Sequence, residues 1–109
     1  MRESTAKPPK HLSREAKTLW RELADEYDIT DSAGLAILST ACEALDRLRA
    51  CQTEIAKDGQ QVKDRFGVLR PHGLLSVENL ARTAFLAALK QLNLDLEPLR
   101  DRFVRPGRR

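Results

Sequence analysis

Aromatic residues are scarce in this chain. One Trp, one Tyr and three Phe make up 5% of its 109 residues, so Leu, Ile, Val and Ala must fill any core. A chain this short holds at most one domain. Its Ala-rich core is thin, which makes self-association a natural further source of stability. Long apolar runs are lacking as well: nothing approaches the roughly 20 residues of a membrane span. The opening MRESTAKPPK has no apolar segment of the secretory kind. A soluble, intracellular chain with no membrane partner is expected.

Cysteine occurs twice, as Cys42 and Cys51, both in one expected helix. At about 100° and 1.5 Å per residue they lie on opposite faces, roughly 13 Å apart along the axis, too far to bond each other there. Buried free thiols are the simple reading. With no CxxC and no nearby His pair, a metal site is not expected. Histidine also occurs twice: His11 follows Pro8-Pro9 and His72 follows Pro71, both in expected loops, where capping or surface roles suit them. No Walker loop, GxSxG, HExxH or GxGxxG is present. Asp25, Glu26, Asp28 and Asp31 gather at a helix–helix corner, where capping and solvation explain them more simply than a metal. The sequence points away from an enzyme, with no cofactor, no metal and no small-molecule substrate.

What the chain does have is helical periodicity. Ser13 offers an N-cap with Glu15 in the first turn, and Ala16, Leu19, Trp20, Leu23, Ala24 and Tyr27 follow at helical spacing. The first helix is expected over 13–27, with Trp20 as a core anchor. A second is expected over 31–57, where Ala33, Ile37, Leu38, Ala41, Ala44, Leu45, Leu48, Cys51 and Ile55 fall within roughly 140° of the wheel. Leu35 and Cys42 fall outside that stripe, on a second small apolar patch. Gly59 suits the end of this helix by adopting a left-handed conformation. Between the helices, residues 61–63 and 68–70 are set to pair across Asp64-Arg65-Phe66-Gly67, with Gly67 supplying a positive φ. A lone two-stranded hairpin is marginal in water, so this one must lean on the helices or on another chain.

A third helix is expected over 73–92. Leu74, Val77, Leu80, Ala81, Ala84, Phe85, Ala88 and Leu92 form its main stripe, and Leu75, Leu86 and Leu89 widen the apolar surface to roughly 240°. Three helices give too few neighbours to cover so wide a surface, so packing on another subunit is expected, with Leu75, Leu86, Leu89, Leu35 and Cys42 as candidate interface residues. Asn93 suits the end of this helix, and Pro98 suits the first turn of a short last helix, Pro98 to Phe103. The fold expected is therefore mainly all-α: a three-helix protomer with a long central helix, a hairpin between helices 2 and 3 and a short C-terminal helix. A basic, flexible arm (1–11) precedes a helical oligomerisation core (12–99, hairpin at 60–70), and a basic tail (100–109) follows.

The charge is unevenly placed. Net charge is +3, yet residues 1–11 hold three basic residues against one acid and residues 100–109 hold five against one. Residues 12–99 hold 11 basic and 14 acidic residues, a net −3. Basic ends are a footprint for polyanions such as nucleic acid, and equally a common feature of solvated termini. Lys7, Lys10, Arg14 and Lys17 near the arm, and Arg102, Arg105, Arg108 and Arg109 in the tail, are the candidate phosphate contacts. Lys63, Arg65 and Arg70 on the hairpin are weaker ones. No helix groups Arg, Asn or Gln at its N-terminus for reading bases.

The ordered features then suggest a family. The stretch PPKHLSREAKTLWRELADEYDITDSAGLAILSTACEALDR, with Pro9, His11-Leu12-Ser13, Trp20, Tyr27 and Thr30-Asp31, resembles the small subunits of phage terminases in the branch of cos-type tailed phages. Gly59, the hairpin at 61–70, Arg70-Pro71-His72, Leu92-Asn93-Leu94, Pro98 and Arg100 continue the likeness, which covers residues 8–102. Asn93 stands where the family has glycine, and Pro98 lies two residues late. The resemblance implies a non-catalytic protein that assembles into a homo-oligomeric ring, binds viral double-stranded DNA and presents it to the large terminase subunit, an ATPase and nuclease. It also implies action in the cytoplasm of the infected bacterium, and a hairpin that projects as a rim or subunit contact. Two other readings remain: a structural adaptor of the phage particle that touches protein only, and a small helical transcription regulator.

Overall fold

The computed structural model describes residues 6–92. In chain order it comprises α1 (Arg14–Glu26), α2 (Ser32–Asp58), β1 (Gln61–Lys63), β2 (Leu69–Pro71) and α3 (Leu74–Gln91). The described part is mainly helical, with a two-stranded antiparallel hairpin between α2 and α3, as the sequence leads one to expect. The expected helix end at Asn93, the helix at 98–103 and the tail lie outside the described residues.

Each helix starts where a side chain satisfies an otherwise unpaired N–H group. The Ser13 hydroxyl accepts from the Ala16 N–H at 3.1 Å, and the Asp31 carboxylate accepts from the Gly34 N–H at 2.9 Å. Gly34 is required for a different reason than helix capping. A Cβ there would come within 2.8 Å of Asp31 Oδ1 and 2.9 Å of Ile29 Cγ2, so the chain at the α1–α2 corner closes only over a bare backbone. The end of α1 is a Schellman closure: the Ile29 N–H donates to the Ala24 carbonyl at 2.9 Å, with Asp28 at φ 53°. Gly59 ends α2 at φ 89° and ψ 161°, a positive-φ conformation open to glycine, though extended in ψ rather than left-handed helical.

The start of α3 uses a side chain outside the usual set. Gly73 precedes it, and the His72 Nδ1 accepts from the Leu74 N–H at 3.0 Å. Because Nδ1 is the acceptor, the ring proton sits on Nε2, which donates to Asp58 Oδ2 at 2.9 Å. One neutral imidazole thus ties the last residue of α2 to the first turn of α3.

The core lies along α2, in two clusters. Leu12, Ala16, Trp20, Ile29, Leu38 and Cys42 form the one shared with α1. Leu45, Leu48 and Ala81, flanked by Leu19 and Phe85, form the other, shared with α3. Trp20 is 3% exposed and its indole N–H donates to Ser39 Oγ at 3.1 Å, so it is the anchor its position suggests. A leucine buried this fully contributes about 1.5–3 kcal/mol, and both clusters are built mostly from residues of that size or smaller. Both free cysteines are buried, as expected.

Three placements differ from expectation. Cys42 is fully buried in the α1–α2 cluster, so it lies inside the protomer and not on a surface patch. Leu80 is 70% exposed: α3 packs through the small residues Ala81 and Ala88, which let it approach α2 closely, and this turns Leu80 to the side. The second strand runs over 69–71 in place of 68–70, pairing Gln61 with Pro71, Val62 with Arg70 and Lys63 with Leu69. The shift has a local cause, because Asp64 and Val68 close the loop. The Asp64 N–H donates to the Val68 carbonyl and the Gly67 N–H to the Asp64 carbonyl, both at 2.9 Å. That leaves a three-residue turn with Gly67 at φ 78°.

Candidate nucleic-acid interface

α1 is fixed on α2 by a ladder of polar contacts along one edge. His11 Nε2 meets Glu43 Oε2 at 2.8 Å. The Ser13 backbone N–H and hydroxyl both donate to the Asp46 carboxylate, at 2.8 and 2.5 Å. Arg49 donates to both oxygens of Glu15 at 3.1 Å through Nε, and its NH2 lies 3.0 Å from Glu15 Oε2. This bidentate fork holds Arg49 charged. The acids nearest the start of α1 are thereby occupied. Individually such exposed pairs contribute little, but together they set the rotation of α1 about its own axis.

That rotation decides which charges face out. Ala16 and Trp20 point into the core, Arg14 falls on the far side of the helix, and Lys17 falls on its flank. Lys7, Lys10 and Arg14 are exposed and Lys17 is half-buried. Arg21, absent from the expected set, is also exposed and continues the row, since it stands four residues after Lys17 and seven after Arg14. Its signal in the sequence was that spacing. Among the described residues, none of these five cations is held by an acid. Arg102, Arg105, Arg108 and Arg109 lie outside the described residues.

The hairpin presents a second, smaller cationic feature. Of residues 61–71 only Val62 and Asp64 are part-buried. Asp64 turns inward: its Oδ1 accepts from the N–H groups of Phe66 at 2.8 Å and Val68 at 3.0 Å, and its Oδ2 accepts from Arg70 Nε at 3.1 Å. The backbone N–H donors of Val68 and Phe66, with Arg70 adding to them, hold this carboxyl below its ordinary value of 3.8. Lys63 and Arg65 stay exposed, and the Arg65 guanidinium lies 5.2 Å from the centre of the Phe66 ring.

The candidate interface leucines sit on α3. Leu86 is 56% exposed, Leu75 and Leu89 are half-buried, and Leu35 of α2 packs part-buried against the α1–α2 cluster. Leu80, on the other flank, adds to this apolar surface. Among the described residues no three His, Cys, Asp or Glu side chains gather where they could hold a metal ion. No described helix is long and apolar enough to cross a membrane.

The match to known families follows this architecture. A model of the family described as phage terminase, small subunit, matches residues 16–98, which takes in α1 from Ala16 onward, all of α2 and α3, and the hairpin; Lys7, Lys10 and Arg14 lie before it. No curated protein and no solved structure matches the chain significantly. With most of its length covered by that one model, the chain belongs to the phage terminase small subunit family and has a role in phage DNA packaging.

Proposed function

We propose that this chain is a non-catalytic, DNA-binding small terminase subunit. It assembles into a homo-oligomeric ring, gathers double-stranded viral DNA on its cationic surfaces, and delivers it to the large terminase subunit, whose activity it regulates, in the cytoplasm of the infected cell. The observation that carries this reading is the row of free cations on the outer side of α1. Among the described residues, Arg14, Lys17 and Arg21 form no ion pair with an acid, and Lys7 and Lys10 stand in the arm just before them. An aligned row of cations releases counterions from a phosphate backbone, and its effect multiplies with the number of subunits brought together. Arg102, Arg105, Arg108 and Arg109 add to the same surface in this reading. Nothing in the row reads base edges, so the DNA is recognised mainly through its backbone and shape.

The test is duplex binding over a salt series, comparing the full chain with an Arg14→Glu/Lys17→Glu variant. The full chain should bind with a steep salt dependence, and the variant should lose at least tenfold in affinity while keeping its helical content, since surface substitutions of this kind cost the fold about 0.5 kcal/mol or less. Equal affinities would remove α1 from the mechanism. A full chain that oligomerises yet shows no DNA binding at low salt would favour the protein-only adaptor.

A further inference from the structure

The hairpin turns its apolar side chains away from the rest of the described protein, and it carries the most exposed aromatic among them. Phe66 is 75% exposed, and Val68 and Leu69 are about half exposed. A two-stranded ribbon of three residues a side does not hold itself together in water. Here its tip is nevertheless fixed from within. Asp64 accepts two backbone N–H groups and Arg70, and Gly67 takes the positive φ that closes the turn. The tip is therefore a preformed wedge whose Phe66, Val68 and Leu69 stay exposed among the described residues.

The charge of the wedge selects its partner. Its acid, Asp64, is spent on the hairpin itself. What faces outward is Lys63, Arg65 and Phe66, with the Arg65 guanidinium stacked over the ring. The flanks of α3 offer a second exposed apolar surface, through Leu80 and Leu86, whereas among the described residues only the hairpin sets cations beside its exposed ring, a combination that favours a polyanion. Two exposed cations close in sequence to an exposed aromatic ring, one of them stacked on it at 5.2 Å, complement a phosphate backbone with base steps between its strands. Proteins that work this way send a ribbon or arm into a groove, neutralise the flanking phosphates, and press an apolar side chain against or between the bases.

We propose that the hairpin tip is a duplex-DNA-contacting wedge: Lys63 and Arg65 bind phosphates on either side of a groove, and Phe66 stacks against a base step and bends the duplex there. This rests on the DNA-binding reading above and adds to it an element that touches bases. Sequence preference then arises from how easily a step unstacks, so flexible pyrimidine–purine steps are favoured.

The test uses the full chain and a short duplex labelled at both ends. Affinity and end-to-end energy transfer are read across a salt series, with native mass recorded alongside. The full chain should shorten the end-to-end distance. Phe66→Ala should lower affinity about tenfold, leave the salt slope as it was and abolish the shortening. Phe66→Trp should keep the affinity, and its fluorescence should be quenched by DNA. Lys63→Ala/Arg65→Ala should reduce the salt slope by roughly 2. If the full chain binds DNA and all three variants bind and bend it as the full chain does, the wedge is wrong while the wider functional reading stands. If Phe66→Ala breaks up the oligomer instead, the tip is a contact between copies and the proposal fails. If the full chain binds no DNA at low salt, the functional reading fails first and takes the wedge with it.

Discussion

Cys42 is fully buried between α1 and α2, and its thiol is pushed up to about 11 from an ordinary 9.0. Burial is the largest cause, and the nearby charges of Asp46 and Glu43 add to it. The sign of the consequence is fixed. Between about pH 9 and about pH 11 the unfolded chain has lost this proton and the folded chain has not, so the folded state is favoured less as pH rises through that window and levels off above it. Unfolding free energy measured by denaturant titration from pH 8 to 11 should fall more steeply for the natural chain than for Cys42→Ala, once the baseline loss from the smaller side chain is subtracted. At pH 8 a thiol reagent should leave Cys42 untouched until denaturant is added. Equal slopes, or rapid labelling of the native chain, would show that the thiol is not buried among those acids. The same acid, Asp46, caps α1 through Ser13, so one carboxylate both anchors a helix and holds a thiol protonated.

Among the elements, the helices were legible because their ends carry their own chemistry. Ser13, Asp31 and Gly59 mark the ends from the sequence, and the observed helices begin and stop within a residue or two of them. The hairpin was legible as an element but not in register. Its alignment depends on Asp64 bonding to backbone groups two and four residues on, which a pattern of alternating residues does not encode. α3 was legible as a helix and as over-apolar, yet its packed side was not. The cylinder is apolar over most of its circumference, and the side that packs is marked by Ala81 and Ala88, while the equally small Ala84 and Ala87 stay exposed, so residue size did not single it out. The candidate interface was half legible: composition marked Arg14 and Lys17, while the ladder that frees them pairs residues more than 30 positions apart. Asp64 is where the hairpin can be tested by itself. Because its carboxyl is held below 3.8, it stays charged and the turn stays closed at neutral pH. Protection is lost only as pH falls through that lowered value. Asp64→Ala should raise hydrogen-exchange rates at the Phe66 and Val68 amides several-fold, as expected for losing hydrogen bonds to a charged acceptor. Asp64→Asn, which still accepts, should restore part of the protection. Unchanged exchange in Asp64→Ala would mean that the strands alone hold the turn.

At the scale of the whole molecule, the described residues leave three kinds of surface exposed in one copy: the outer cations of α1, the apolar flanks of α3 and the hairpin tip. Their separation matters. Leu80 lies on one side of the packed Ala81–Ala88 face and Leu86 on the other, so in the proposed assembly the two would meet different neighbours. In the proposed ring, contacts of unlike surfaces would pass from copy to copy and close when the rotation allows, and the α1 cations of the copies would act together. This separates assembly from folding in a way that can be measured. Leu80 is 70% and Leu86 56% exposed, so Leu80→Asp and Leu86→Asp should each cost the protomer about 0.5 kcal/mol or less while placing a charge in the proposed subunit contact. Light scattering at tens of micromolar should then show the natural chain as a multiple of the 12.3 kDa protomer and each variant shifted to smaller species, with circular dichroism unchanged. A double variant should be monomeric and should lose the steep, collective salt dependence of DNA binding, because its cations no longer act together. If either leucine can be replaced without changing the mass, the flank it sits on faces solvent in the assembly; if both can, the copies meet through some other surface, and the apolar excess of α3 has a different purpose.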